Sequence, residues 1–175
     1  MYFDSFPLIP YDAVGNNDFV VLTNLCKRTG IIPKIKNTSV LYDTYDVKDG
    51  EMPEHIAFKL YDDAELHWII LMVNNIVDIY TDWPMSTANW NRYILDKYDD
   101  INDIHHYEIT QSSGDTTKKI NIGSDNSDYP SATPITNYDY EESEQERKRG
   151  IKLLDPQYVD QVVKEHVKLM KESIL

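Results

Sequence analysis

Residues 45–75 read YDVKDGEMPEHIAFKLYDDAELHWIILMVNN, and this run holds the end of a strand, a turn and two helices. Tyr42 to Val47 alternates apolar and polar side chains, as a strand half-buried against a core does. Asp49-Gly50 supplies the turn that follows, since glycine reaches positive φ without a steric penalty. Pro53 suits the first position of a helix, where its missing N–H costs nothing. Ile56, Ala57 and Leu60 form the buried stripe of that helix, and Asp62-Asp63 ends it.

Glu65 to Asn74 then carries Leu66, Trp68, Ile69, Ile70, Leu71, Met72 and Val73 with little polar relief. A surface helix has one apolar stripe; this one is apolar nearly all round and is expected to be buried on most sides. It is too short for a membrane span, so it reads as a core element. Asn74-Asn75 closes it, asparagine being tolerated in left-handed C-terminal positions.

This order of elements resembles the LysM module. There a Gly-Asp/Glu-x-apolar turn leads into a first helix centred on Ile-Ala, and a second helix ends in Asn. The matching residues are Val47, Gly50-Glu51-Met52, Ile56-Ala57, Tyr61 and Asn74. With its flanks, through DWPMS at Asp82 to Ser86, the stretch resembles the baseplate wedge protein family of contractile-tailed bacteriophages, in which a LysM-like core sits inside a longer chain. The likeness takes in residues 1–100 and, more loosely, the helical C-terminus. It implies an α+β fold: a small LysM-like βααβ core with an extended N-terminal arm, a β-hairpin region and a C-terminal helix.

The resemblance also implies a role. Such a protein is non-enzymatic and present in several symmetric copies, and it joins neighbouring wedges around the central hub. Its partners are other baseplate wedge and hub proteins. Its place is the virion's tail baseplate and, during assembly, the host cytoplasm. The rival implied by the LysM half alone is a carbohydrate-binding module for peptidoglycan or chitin. Its glycan groove would lie between Gly50–Pro53 and Asn75–Asp78. The run after Asn75, IVDIYTDWPMS, lacks the Pro-Ile-x-x-Gly-Gln lead into a closing strand. The chain also has no second copy of the unit, which such modules often have.

Composition agrees in sign. Of 175 residues, 30 are acidic and 17 are lysine or arginine, a formal charge of -13. Such a field repels phosphate backbones and anionic lipid, so neither nucleic acid nor membrane is an expected partner. The 13 tyrosines favour protein interfaces, because each offers rigid apolar area with a polar tip. A single cysteine, Cys26, excludes an internal disulfide and reads as a small apolar side chain buried in a helix. The opening MYFDSFPLIPYD lacks the basic region and sustained apolar core of a signal peptide, so export is not expected.

Four segments are expected: residues 1–38 as an N-terminal arm and helix, 39–100 as the LysM-like core with its following helix, 101–140 as a β-hairpin and loop region, and 141–175 as a C-terminal helical region. Phe3, Phe6, Leu8 and Ile9 between prolines suggest an adhesive arm. Asn16-Asn17-Asp18 offers N-caps for a helix with Phe19, Val21, Leu22 and Leu25 as its stripe, ending near Gly30. Ile31 to Asn37 then leads into a strand beginning at Val40. Ser86 or Thr87 caps a helix whose face carries Trp90, Tyr93, Ile94 and Tyr98. Ile104–Thr110 and Lys118–Ile122 read as a hairpin turning at Ser113-Gly114-Asp115. Gly123 to Pro134 is loop, Ile135–Tyr140 one more strand, and Glu141–Gly150 a solvated helix with acids before bases. Asp155 and Pro156 open a last helix to Ser173, with Val159, Val162, Val163, His166, Val167 and Met170 on one side.

The chain has no His-Glu-x-x-His, Walker A, G-x-G-x-x-G or G-x-S-x-G motif, so no catalytic, cofactor or metal residues are assigned. His105-His106 sits on a strand, where adjacent side chains point to opposite faces and cannot share an ion. Asp125 and Asp128 lack the glycine and closing glutamate of an EF-hand loop. Glu51, Glu54 and Glu65 are the carboxylates nearest the aromatic core. The candidate partner-binding residues are Phe3, Phe6, Trp83, Val159, Val163, His166 and Met170. Trp83 is either core or an exposed anchor. The last helix docks either on a partner or on its own chain.

Overall fold

The computed structural model describes residues 2–31, 41–115 and 117–172. Among these the fold is mixed α+β, with six helices and seven strands in small sheets. The chain divides into two compact units: residues 1–46, 51–79 and 151–175 form the first, and 47–50 and 80–150 the second. The first unit is therefore discontinuous in sequence.

The first unit begins with a hairpin of β1 (Leu8–Tyr11) and β2 (Val20–Thr23), paired antiparallel with Ile9 opposite Leu22 and Tyr11 opposite Val20. This corrects the helix expected over Phe19–Leu25. Its apolar residues also fit an extended run, and the β-branched Val20 and Val21 favour pairing with β1 over a helix. Asp12 turns the hairpin, its carboxylate accepting backbone N–H bonds from Val14, Gly15, Asn16 and Asn17. Those four bonds hold the carboxyl below its ordinary value. Cys26 is exposed and outside any helix, not buried within one. The lead-in after Ile31, to Asn37, and the strand start at Val40 fall on 32–40, outside the described residues.

β3 (Tyr42–Asp46) is followed by the turn at Gly50, whose φ of 70° matches the glycine requirement, and by α1 (Pro53–Tyr61), which buries Pro53, Ile56 and Ala57. Asp62 ends α1 in the left-handed conformation, its backbone N–H donating to the Phe58 carbonyl at 3.1 Å. A 3₁₀ turn leads into α2 (His67–Val73), which buries Ile69, Ile70 and Val73 and leaves no residue fully exposed. The partner of β3 is β7 (Gly150–Leu154). Val47 N–H donates to the Arg149 carbonyl at 3.0 Å and Asp155 N–H to the Leu41 carbonyl at 3.1 Å, which makes the pair antiparallel. A β-α-α-β order is thus closed by a strand that follows an insertion of some seventy residues.

Asn74 fastens this closing strand. Its side-chain amide donates to the carbonyls of Ile70 (2.9 Å) and Lys152 (2.8 Å), and its oxygen accepts the Lys152 N–H (2.8 Å). Asn75, not Asn74, takes the left-handed position, with φ 57°. Asp155 caps the last turn, and α6 (Val159–Glu172) then lays Val159, His166 and Met170 inward. Ser173 falls outside the described residues. Ile69, Val73, Leu154 and Val159 form a core cluster, with Tyr42, Tyr61, Leu66, Trp68, Val162 and Val163 packed on it. Tyr61 donates its hydroxyl to the Leu154 carbonyl at 3.0 Å, and burial pushes its pKa up to about 12.

In the second unit, the turn α3 (Ile79–Asp82) precedes α4 (Thr87–Lys97), capped by Ser86. β4 (Ile104–Thr110) is the centre of a three-stranded antiparallel sheet between β5 (Lys119–Gly123) and β6 (Thr133–Thr136). α5 (Asn137–Arg149) begins where strand was expected to continue to Tyr140. Thr136 and Asp139 form a capping box there, which satisfies helix N–H groups and starts the helix early. Nor is α5 solvated all round: Asn137, Glu141 and Gln145, spaced by four, are buried along one face. Each buried group is bonded. Asn137 donates to the Asp100 carbonyl at 2.9 Å, Gln145 accepts the Met85 N–H at 2.9 Å, and Glu141 accepts from Lys97 (2.6 Å) and the Tyr98 hydroxyl (2.8 Å).

Candidate functional site

The residues expected to meet partners divide sharply by exposure. Phe3 is 59% exposed, whereas Phe6 is buried beneath it, with ring centroids 5.5 Å apart. Trp83 is 2% exposed and belongs to the core of the second unit, so the exposed-anchor alternative is corrected. Pro84 beside it is buried too, which is how an apolar pair in a non-periodic segment gains stability. Val159, His166 and Met170 are buried within the first unit, and Val163 is half-buried on the same cluster.

His166 is held on three sides. Its Nδ1 lies 2.7 Å from the Thr29 hydroxyl, its Nε2 3.3 Å from the Ser5 hydroxyl, and its ring 4.5 Å from that of Trp68. Burial holds its pKa below 6.5, which keeps the imidazole neutral and paired with two hydroxyls. A recess of about 210 Å³ beside it is lined by Ser5, Asp63, Glu65, Leu66 and Trp68, among others. Lys27 donates to the Leu169 carbonyl (2.9 Å) and to that of Met170, placing a cation at the C-terminal end of α6 where the helix dipole favours it. Sequence spacing does not show this cluster, because Ser5, Thr29, Trp68 and His166 lie on four separate segments.

The histidine pair departs from its expected geometry. The register of β4 against β6 shifts between Ile104 and His106, and the two rings come together instead of pointing apart. Their Nδ1 atoms are 2.8 Å apart, and His106 Nε2 is 3.3 Å from the Glu108 carboxylate. The carboxylate only accepts, so His106 donates to it from Nε2, and a neutral His106 then accepts on Nδ1 from His105. His105 stacks on Tyr140 at 4.0 Å, and burial, then the neighbouring His106, holds its pKa low. Among the described residues no group of three or more His, Cys, Asp or Glu is placed to hold a metal ion. Glu51 is engaged by the Tyr45 hydroxyl and by Lys59, and Asp125 by Ser127.

The surface that stands out is apolar. In the β1–β2 hairpin Leu8 is 67% exposed, Val20 57%, Val21 64% and Leu22 45%, with exposed Phe19 and Leu25 flanking β2. Folded chains seldom leave so many large apolar side chains together in water.

The profile of the base plate wedge protein 53 family matches residues 1–169, nearly the whole chain. The chain belongs to that family. It is also 31% identical over 58 residues to the baseplate wedge protein gp53 of Enterobacteria phage T4, a stretch that spans 33% of this chain and 30% of the relative. The family match takes in both units, the N-terminal hairpin and nearly all of α6.

Proposed function

We propose that this chain is a structural subunit of a contractile phage tail baseplate, where it joins neighbouring wedges into a ring around the central hub. The observation that carries the reading is the family match over residues 1–169, which spans the inserted second unit and nearly all of the first, the N-terminal hairpin included. The chemistry agrees. The polar groups of His166, His106 and Glu141 are each hydrogen-bonded within the chain, as polar groups that serve packing are. In this reading the β3-α1-α2-β7 arrangement is a LysM-like core whose closing strand is delayed by an inserted unit. The partners are other baseplate proteins in symmetric copies, met first in the host cytoplasm and kept in the virion. The test is reconstitution of wedges from the baseplate proteins encoded with this chain, with and without it. Wedge rings that form only in its presence support the role.

A further inference from the structure

The β1–β2 hairpin is apolar on both faces. Alternation puts Ile9, Tyr11, Val20 and Leu22 on one side and Leu8, Pro10, Val21 and Thr23 on the other. Every one of these residues is exposed except Ile9, which is half-buried. Among the described residues no further strand pairs with either edge. Isolated two-stranded hairpins are marginal in water, and neither face of this one is buried against the rest of its unit.

Two observations narrow what covers it. The first is area. Strands of four residues make a ribbon roughly 13 Å by 10 Å, a footprint of about 130 Å² per face, against the ~800 Å² per partner that a stable complex buries. Stacking face to face on a second copy would cover one face and leave the other wet, whereas a cleft covers both faces and adds its rim to the contact. The second is charge. From Tyr2 to Leu25 the chain carries Asp4, Asp12 and Asp18 and no lysine, arginine or histidine, within a chain of net charge -13. A second copy would oppose acid to acid, whereas a basic rim complements it.

We propose that the β1–β2 hairpin is an insertion element that seats in an apolar, basic-rimmed cleft of a different baseplate subunit, covered there on both faces. This rests on the assembly role proposed above. The experiment uses the full chain with Val20→Lys on one face and Val21→Lys on the other, each in competition with the unaltered chain for incorporation into reconstituted wedges. Both side chains are exposed, so both variants should melt as the unaltered chain does, yet each should lose incorporation at least about tenfold, because each puts a charge in an apolar wall. Hydrogen exchange on the unaltered protein gives a second readout: the Val20–Thr23 amides should exchange fast in the free chain and slow by about a hundredfold or more in the baseplate. Normal incorporation of both variants with unprotected hairpin amides overturns the insertion while leaving the assembly role standing. An effect from one face alone overturns the two-walled cleft. A free chain that dimerises, and loses the dimer with Val21→Lys, makes a second copy the occupant. Failure of the unaltered chain to enter wedges at all overturns the assembly role and the insertion with it.

Discussion

Asn74 closes α2 with its backbone and holds β7 with its side chain, a double use that the left-handed reading of the Asn pair passes over. Its amide reproduces the donor and acceptor of a strand residue, so Lys152 is paired on that edge without a further strand. Asn74→Ala removes three hydrogen bonds and should cost about 1–3 kcal/mol, read as a lowered midpoint in urea. Asn74→Asp keeps the acceptor but sets a carboxylate oxygen against the Ile70 and Lys152 carbonyls, so it should rescue little or none of that loss. The buried His166 and the half-buried His105 contribute to the acid response. The folded-state pKa values of His105 and His166 lie below their ordinary 6.5. The unfolded chain therefore binds more protons below that value, and stability is full above it and lost as the pH falls toward the folded-state values. Melting temperature should fall from about pH 7 to about pH 5, and His166→Gln should flatten part of that fall. A profile unchanged by His166→Gln would contradict the buried neutral state assigned to it.

At the scale of elements, α6 is a core helix with a wet back. Val159, His166 and Met170 face its own unit, while Lys164, Glu165, Lys168 and Lys171 are exposed. Removing residues 155–175 uncovers Ile69, Val73 and Trp68, and the shortened chain should aggregate or melt lower by roughly 10 °C or more. A shortened chain of normal stability would show that the packing of α6 on Trp68 is dispensable. The helices α1, α2, α4 and α6 and the β4–β5 turn were legible in the sequence because their signals are local: Pro53 and Ser86 at helix starts, Asp155 before Pro156, Gly114 in a turn. What stayed hidden depends on distant partners. β7 is a five-residue strand, Gly-Ile-Lys-Leu-Leu, whose mate, β3, lies about a hundred residues upstream, and nothing near Ile151 announces it. Val20–Thr23 fits either period until Leu8–Tyr11 is set opposite it. The bulge that joins His105 to His106 is likewise a property of the pairing of β4 with β6. The His166 cluster draws on four segments, and residues so spaced carry no common pattern.

Taken whole, the molecule interrupts its first unit with a second and closes it late, so the folding of the first unit waits on the return of the chain at Gly150. Long-range closure of this kind is slow. The late closure also bears on the carbohydrate alternative. The run after Asn75 leads into α3 and the second unit rather than into a closing strand. Calorimetric titration with chitin or peptidoglycan oligomers of four or more sugars should therefore show no binding, and a micromolar dissociation constant weakened by changes at Asn75 or Asp78 would restore the glycan-binding module. The most direct test of the central claim is electron microscopy of wedges assembled from the baseplate proteins encoded with this chain. With the chain present, neighbouring wedges should join into closed rings with the chain between them; without it, wedges should stay single. Complete rings formed in its absence would contradict the account.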